Sequence, residues 1–308
     1  MKITKIIKRT ISIVVLFVGF YAAAQQDAQY TQYMYNTTVI NPAYAGSRNV
    51  LSINGLYRAQ WVGLEGAPKT QTLSIHSPMG ERVGLGGNIL RDEIGPTSET
   101  YVSGDFSYTL PVNDRTNFAF GMKAGFYSLT VDFRKLLIYN PTDPTIQNNN
   151  INQTSPIIGV GGYLYTDKWY IGLSTPNILK TDHYTNSSVS KATEEMHIYA
   201  IGGYVFDINP DLKFKPATLF KMVKGAPLSV DVSANFLINK KFTLGASYRL
   251  DAAVGALAGF QVSDQLMLGY AYDYDTTDIG QYNSGSHEFF VRFEFITRVK
   301  GKVSPRFF

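Results

Sequence analysis

The sequence predicts an all-β protein: a transmembrane antiparallel up-and-down β-barrel of about fourteen strands, with an N-terminal segment at its periplasmic mouth or in its lumen. Three observations predict it. An export leader opens the chain, strands of about ten residues alternate apolar and polar side chains, and the breaks between them alternate short with long.

Residues 1–24 read as a cleaved secretory signal. Lys2, Lys5, Lys8 and Arg9 make a positive n-region, Ile11 to Phe20 an apolar core, and Ala22-Ala23-Ala24 a small-residue cleavage site. The apolar run falls short of the roughly 20 residues that a spanning helix needs. Those four cations carry the whole formal charge of +4, so the chain from Gln25 holds 24 basic and 24 acidic residues. The basic pI therefore gives no support for nucleic-acid binding. With no Cys anywhere, the exported chain is expected to do without disulfides and without a lipid-modified N-terminus. Its 21 Tyr, 19 Phe and 27 Gly suit β-structure with close-packed aromatics. No later apolar run is long enough for a spanning helix, so a membrane form must be a closed barrel facing the lipid bilayer.

The segment 25–48 precedes any strand. Strands are then expected near 49–61, 69–77, 82–91, 98–110, 116–131, 155–166, 168–176, 196–207, 212–221, 226–238, 241–250, 253–263, 265–273 and 286–298. Alternation is cleanest at Leu228–Phe236, Val102–Leu110 and Phe289–Phe295. A soluble sandwich also alternates, so the connections decide. Every second one is short, as at Pro78-Met79-Gly80-Glu81, Pro111–Arg115, Asp167, Ile208–Asp211, Asn239-Lys240 and Asp264. The others include the long pieces 132–154, 177–195 and 274–285. Short periplasmic turns and long external loops are the mark of an outer-membrane barrel with both termini periplasmic. Pro216 demands a bulge or a strand end, and Gly159, Gly161 and Gly162 leave the register of their strand open.

With the apolar faces toward lipid, the lumen is expected to hold Arg58, Asp105, Lys123, Lys213, Lys215, Asp231, Arg249, Glu288, Arg292 and Glu294. Both signs are present, which fits ion pairs that knit the interior and seat a plug better than a single-sign pore.

Chemistry finds little footing. His76-Ser77 and Ser286-His287 are neighbours along strands, so their side chains point to opposite faces, and there is no nucleophile elbow. His183 falls in a long loop. The run Asp273–Asp278 lacks the Gly and Glu of a calcium loop; a solvated acidic loop or a loose Ca²⁺ site stays open there. No catalytic group, cofactor or metal is assigned. The tail 299–308 ends Ser304-Pro305-Arg306-Phe307-Phe308: either a free basic end or a docking peptide led by Arg306, Phe307 and Phe308.

Gln29–Ser47 reads QYTQYMYNTTVINPAYAGS, without alternation and interrupted by Pro42. Tyr30, Tyr33, Met34, Tyr35 and Tyr44 are expected to pack into the periplasmic mouth or lumen as a plug or brace. Asn41-Pro42 would turn the chain and Gly46 release it into the first strand. Gln32-Tyr33-Met34-Tyr35-Asn36 and Asn41–Ser47 resemble the N-terminal signature of the PorP/SprF family of Bacteroidetes, and residues 304–308 are similar to that family's ending. The resemblance implies a type IX secretion outer-membrane protein that supports secretion and attachment of large surface proteins, gliding adhesins among them, through their C-terminal domains. It implies partners among type IX secretion components in the periplasm and outer membrane. The long loops would then form the contact surface, with Tyr139, Ile146, Ile178, Tyr184 and Tyr282 as apolar anchors. The rival is a transporter for small or hydrophobic solutes, with the N-terminal segment as a hatch.

Overall fold

The computed structural model describes residues 29–135, 151–179, 181–182 and 193–296. Fourteen antiparallel strands close into one barrel. They are β1 (Leu51–Ala59), β2 (Lys69–Met79), β3 (Val83–Ile94), β4 (Thr97–Pro111), β5 (Asn117–Val131), β6 (Ile151–Tyr165) and β7 (Trp169–Thr175). The second half holds β8 (His197–Tyr204, continued by Phe206–Asn209), β9 (Leu212–Val223), β10 (Ser229–Ile238), β11 (Phe242–Arg249), β12 (Ala253–Gln261), β13 (Leu266–Asp275) and β14 (Ser286–Phe295). Each strand pairs with its sequence neighbours, and β1 closes on β14 from Leu51↔Phe295 to Ala59↔His287. Closure leaves no unpaired edge, which is what a bilayer demands of a sheet.

Strand ends shift by a few residues from the sequence expectation: β2 takes in Pro78 and Met79, β3 runs on to Ile94, β6 starts at Ile151, and β10 and β14 are shorter. Two further differences have a local cause. The first strand starts at Leu51 rather than Asn49, because Asn49 sits at φ 60° in a turn. Pro216 stays within its ladder, paired with Ala234, and the irregularity falls on the neighbouring strand. There β8 breaks at Val205, between the pairs Gly203↔Ala217 and Phe206↔Phe214. Pro lacks the N–H that would bond to β8, so the partner adapts. The Gly-rich β6 keeps one register along β5, from Asn117↔Tyr165 to Val131↔Ile151.

The strand period of two sorts the wall. Phe289 is 54% exposed on the outside, while Glu288 is 0% and Arg292 6% exposed on the inside. Val102, Phe106 and Leu110, and Leu228, Val232 and Phe236, also face out. Near the rim that carries the short turns, ring contacts link Tyr204, Phe206, Phe214 and Phe236, with Phe242 on Phe260 further round. An apolar outer band edged by aromatics is the surface a barrel presents to lipid. The hydrophobic core is the lumen: its main cluster joins inner-wall residues to Tyr30, Tyr33, Met34, Tyr35, Ile40, Ala43 and Tyr44.

Candidate functional site

The segment that fills the lumen is made of short turns, Tyr33–Tyr35, Thr37–Ile40 and Pro42–Tyr44. It runs along the barrel axis. Gln29 reaches Ser229 and Thr31 reaches Glu288 and Asp273, all at strand ends of the long-loop rim. Asn36 binds Thr72 and Ser74 at mid-height. Ala45 accepts from Ser107, and the Gly46 N–H donates to His76 Nδ1, toward the short-turn rim. The N-terminal end of the described segment therefore lies in the long-loop half, where the sequence reading had put both termini on the short-turn side. The reason is direction: chain entering β1 from the short-turn rim has first descended through the lumen, with its apolar side chains buried against the inner wall on the way.

Backbone fit holds the segment to the wall. A Cβ at Gly121 would stand 2.2 Å from the Ala43 nitrogen, and one at Gly84 would stand 2.1 Å from the Ala45 oxygen. Only glycine leaves that room. Asn41 is fully buried: its Oδ1 accepts from the Ala43 N–H at 3.0 Å, and its Nδ2 donates to the Gly162 carbonyl at 3.1 Å. It thus turns the chain into Pro42 and ties the turn to β6. Gly46 follows at φ 74°, a conformation that suits glycine. The Tyr35 ring stacks on Phe290 at 5.1 Å, with Lys215 Nζ 5.1 Å from its centroid. Tyr44 meets His76 and Tyr163 edge-on.

Buried ion pairs brace the same interior. Arg58 bridges Asp273 at 2.8 Å and Glu288 at 3.1 Å, and donates to Thr31 Oγ1 at 3.0 Å. Glu288 also accepts the N–H groups of Thr31 and Gln32. Lys123 pairs with Asp105 at 2.8 Å and donates to the Thr38 carbonyl. Arg249 pairs with Asp231 at 2.7 Å. Arg48 pairs with Glu294, which Arg292 also approaches. Sequence reasoning missed Arg48, although it is the only basic residue between 25 and 48. Lys213 is a correction: it faces inward but at the short-turn rim, where it is partly exposed and pairs with Asp207 beside Lys168. The bond and charge of Asp207 hold the Lys168 ammonium above its usual range.

The filling is uneven. Between the segment and β3–β8 a small cavity of about 80 Å³ remains, floored by Val39 and Ile40 and reaching the long-loop rim at Asp92, Glu99 and His197. Sequence reading did not foresee it, because its lining comes from strands far apart in the chain.

Of the expected loop anchors, Ile178 is 42% and Tyr282 73% exposed at the long-loop rim. Tyr139, Ile146, Tyr184 and His183 lie outside the described residues, as do the leader and the tail with Arg306, Phe307 and Phe308. The acidic run 273–278 is divided between two tasks: Asp273 turns inward to Arg58, and Asp275 accepts from Trp61 Nε1. Among the described residues no group of three or more ligating side chains could hold a metal ion. His76 binds the segment backbone, and His287 contacts Tyr270 Oη at 2.7 Å; neither is shown bonded to a Ser hydroxyl.

A family model described as type IX secretion system membrane protein PorP/SprF matches residues 22–293. No curated protein matches the chain. Solved structures share the barrel at low identity. Omp33, an outer membrane protein of Acinetobacter baumannii, is 9% identical with a TM-score of 0.46, over 80% of this chain and 99% of that one. A FadL homologue of Pseudomonas aeruginosa is 13% identical with a TM-score of 0.46, over 84% and 94%. The toluene transporter TbuX of Ralstonia pickettii is 10% identical with a TM-score of 0.47, over 82% and 91%.

Proposed function

Because the chain belongs to the PorP/SprF family of type IX secretion system membrane proteins, we propose that it anchors a secreted surface protein at the outer membrane, through that protein's C-terminal domain, and supports its secretion. The work is binding, not chemistry. The observation that carries this reading is the occupied lumen. A segment bonded to both halves of the wall, and seated where wall glycines leave room only for its backbone, makes the barrel a rigid scaffold. Recognition on such a scaffold falls to its loops.

In this reading the long-loop rim faces outward and receives the partner on a surface that includes Tyr139, Ile146, Ile178, Tyr184 and Tyr282. The short-turn rim faces the periplasm, and Arg306, Phe307 and Phe308 dock onto secretion components there. The test is affinity capture of the tagged protein from native outer membranes, with mass spectrometry of what comes down, beside single-channel recording of the pure protein. A surface protein with a type IX C-terminal domain, captured by an electrically silent barrel, supports the anchor. A freely conducting barrel that captures no such protein overturns it in favour of a channel.

A further inference from the structure

The lumen cavity carries chemistry of its own. Its lining includes two polar atoms with no hydrogen-bond partner among the described residues, Asn88 Oδ1 and Asn177 Nδ2. Neither is an arbitrary choice of amide orientation. Asn88 Nδ2 donates to the Asp105 carboxylate. Asn177 Oδ1 accepts from the Leu179 N–H at 3.1 Å and the Ile158 N–H at 3.4 Å. Turning either amide over would place like groups against each other. Asn88 is only 5% exposed, so its carbonyl oxygen is a buried acceptor that lacks a donor. The cavity thus presents one fixed acceptor and one fixed donor beside the apolar Val39, Ile40, Leu90 and Ile157, with Ser103 and Lys123 also in its lining and Asp92, Glu99 and His197 at its mouth.

A peptide segment that carries apolar side chains has the complementary chemistry: it offers N–H groups to Asn88 Oδ1 and C=O groups to Asn177 Nδ2. We propose that this vestibule receives a peptide segment of the secreted partner, inserted through the long-loop rim, with an apolar side chain on the Val39–Ile40 floor. The inference rests on the anchoring reading and assigns its binding site to the lumen as well as the loops. It also gives the N-terminal segment a second task, since that segment forms the floor.

The chain has no Cys and Tyr101 lines the cavity, so a photo-reactive benzoylphenylalanine at position 101 reports on the vestibule in the otherwise intact protein. Irradiated in native outer membranes, it should yield an adduct that maps to the C-terminal domain of the captured surface protein. Asn88→Leu, near in shape, and Leu90→Trp, which fills the space, should each lower capture about tenfold or more. Both must still show the heat-dependent gel shift of a folded barrel. Should the unmodified protein capture its partner, both folded variants do so equally well, and position 101 give no adduct, the vestibule is not the site and the anchor reading stands. Should the unmodified protein capture no surface protein, both readings fall. A small solute rather than a peptide in the adduct would overturn the peptide assignment.

Discussion

Arg58 is 1% exposed and faces two carboxylates, Asp273 and Glu288, that burial would otherwise make costly. Breaking such a group from one side leaves charge stranded, at a cost of about 3–5 kcal/mol. Arg58→Met should therefore lower the urea midpoint of the folded barrel far more than Arg91→Met, whose Glu93 partner is exposed and whose pair is worth at most about 1 kcal/mol. Equal shifts for the two variants would show that the lumen network adds no stability. The alternation of β1 and β14 placed Arg58, Glu288, Arg292 and Glu294 inside from sequence alone, because a strand fixes side-chain parity. It could not pair them, since Arg58 and Glu288 lie 230 positions apart. Nor does parity give depth, which is why Lys213 proved to be a rim residue.

The N-terminal segment was legible as something other than a strand, since Pro42 and the lack of alternation forbid one. Its direction was not, because nothing local in QYTQYMYNTTVINPAYAGS says which end meets which rim. Its seat makes a sharp prediction. Gly121→Val and Gly84→Val place side chains where the backbone of Ala43 and Ala45 now runs, whereas a Cβ at Gly104 would approach nothing closer than 3.9 Å. The two Val variants should expose residues 29–46 to added protease, and Gly104→Ala should leave them protected. Protection in all three would mean that the segment is not held by close backbone contact. The connection between β7 and β8 can be tried separately. Replacing 177–195 by Asn-Gly, a turn that suits a two-residue hairpin, should keep the barrel folded while it abolishes partner capture. Undiminished capture would show that this loop does not hold the partner.

At the scale of the whole molecule, strand count and lumen contents pull in opposite directions. Barrels well above eight strands leave an interior wider than their own inward side chains can fill. A barrel of this size therefore needs either water or a further piece of chain inside, and here residues 29–46 supply it. The sequence showed the barrel through the parity of its connections, and it offered the plug only as one of two placements. Which one holds depends on contacts between residue 41 and the wall near 161–172, which no local pattern encodes. The consequence is electrical. The intact protein should be silent in planar bilayers, and a variant in which Gly-Ser linker replaces 29–46 should conduct. Among the described residues the emptied lumen would be lined by Arg48, Arg58, Lys123, Lys215, Lys221, Arg249 and Arg292 together with Asp92, Asp105, Asp231, Asp273, Glu288 and Glu294, so no one sign dominates. Its reversal potential in a salt gradient should lie near zero, because selectivity needs a ring of one charge. Steady conductance in the intact protein would mean that the segment does not seal the barrel. Strong anion or cation selectivity in the emptied one would mean that the inward charges are not balanced along the path.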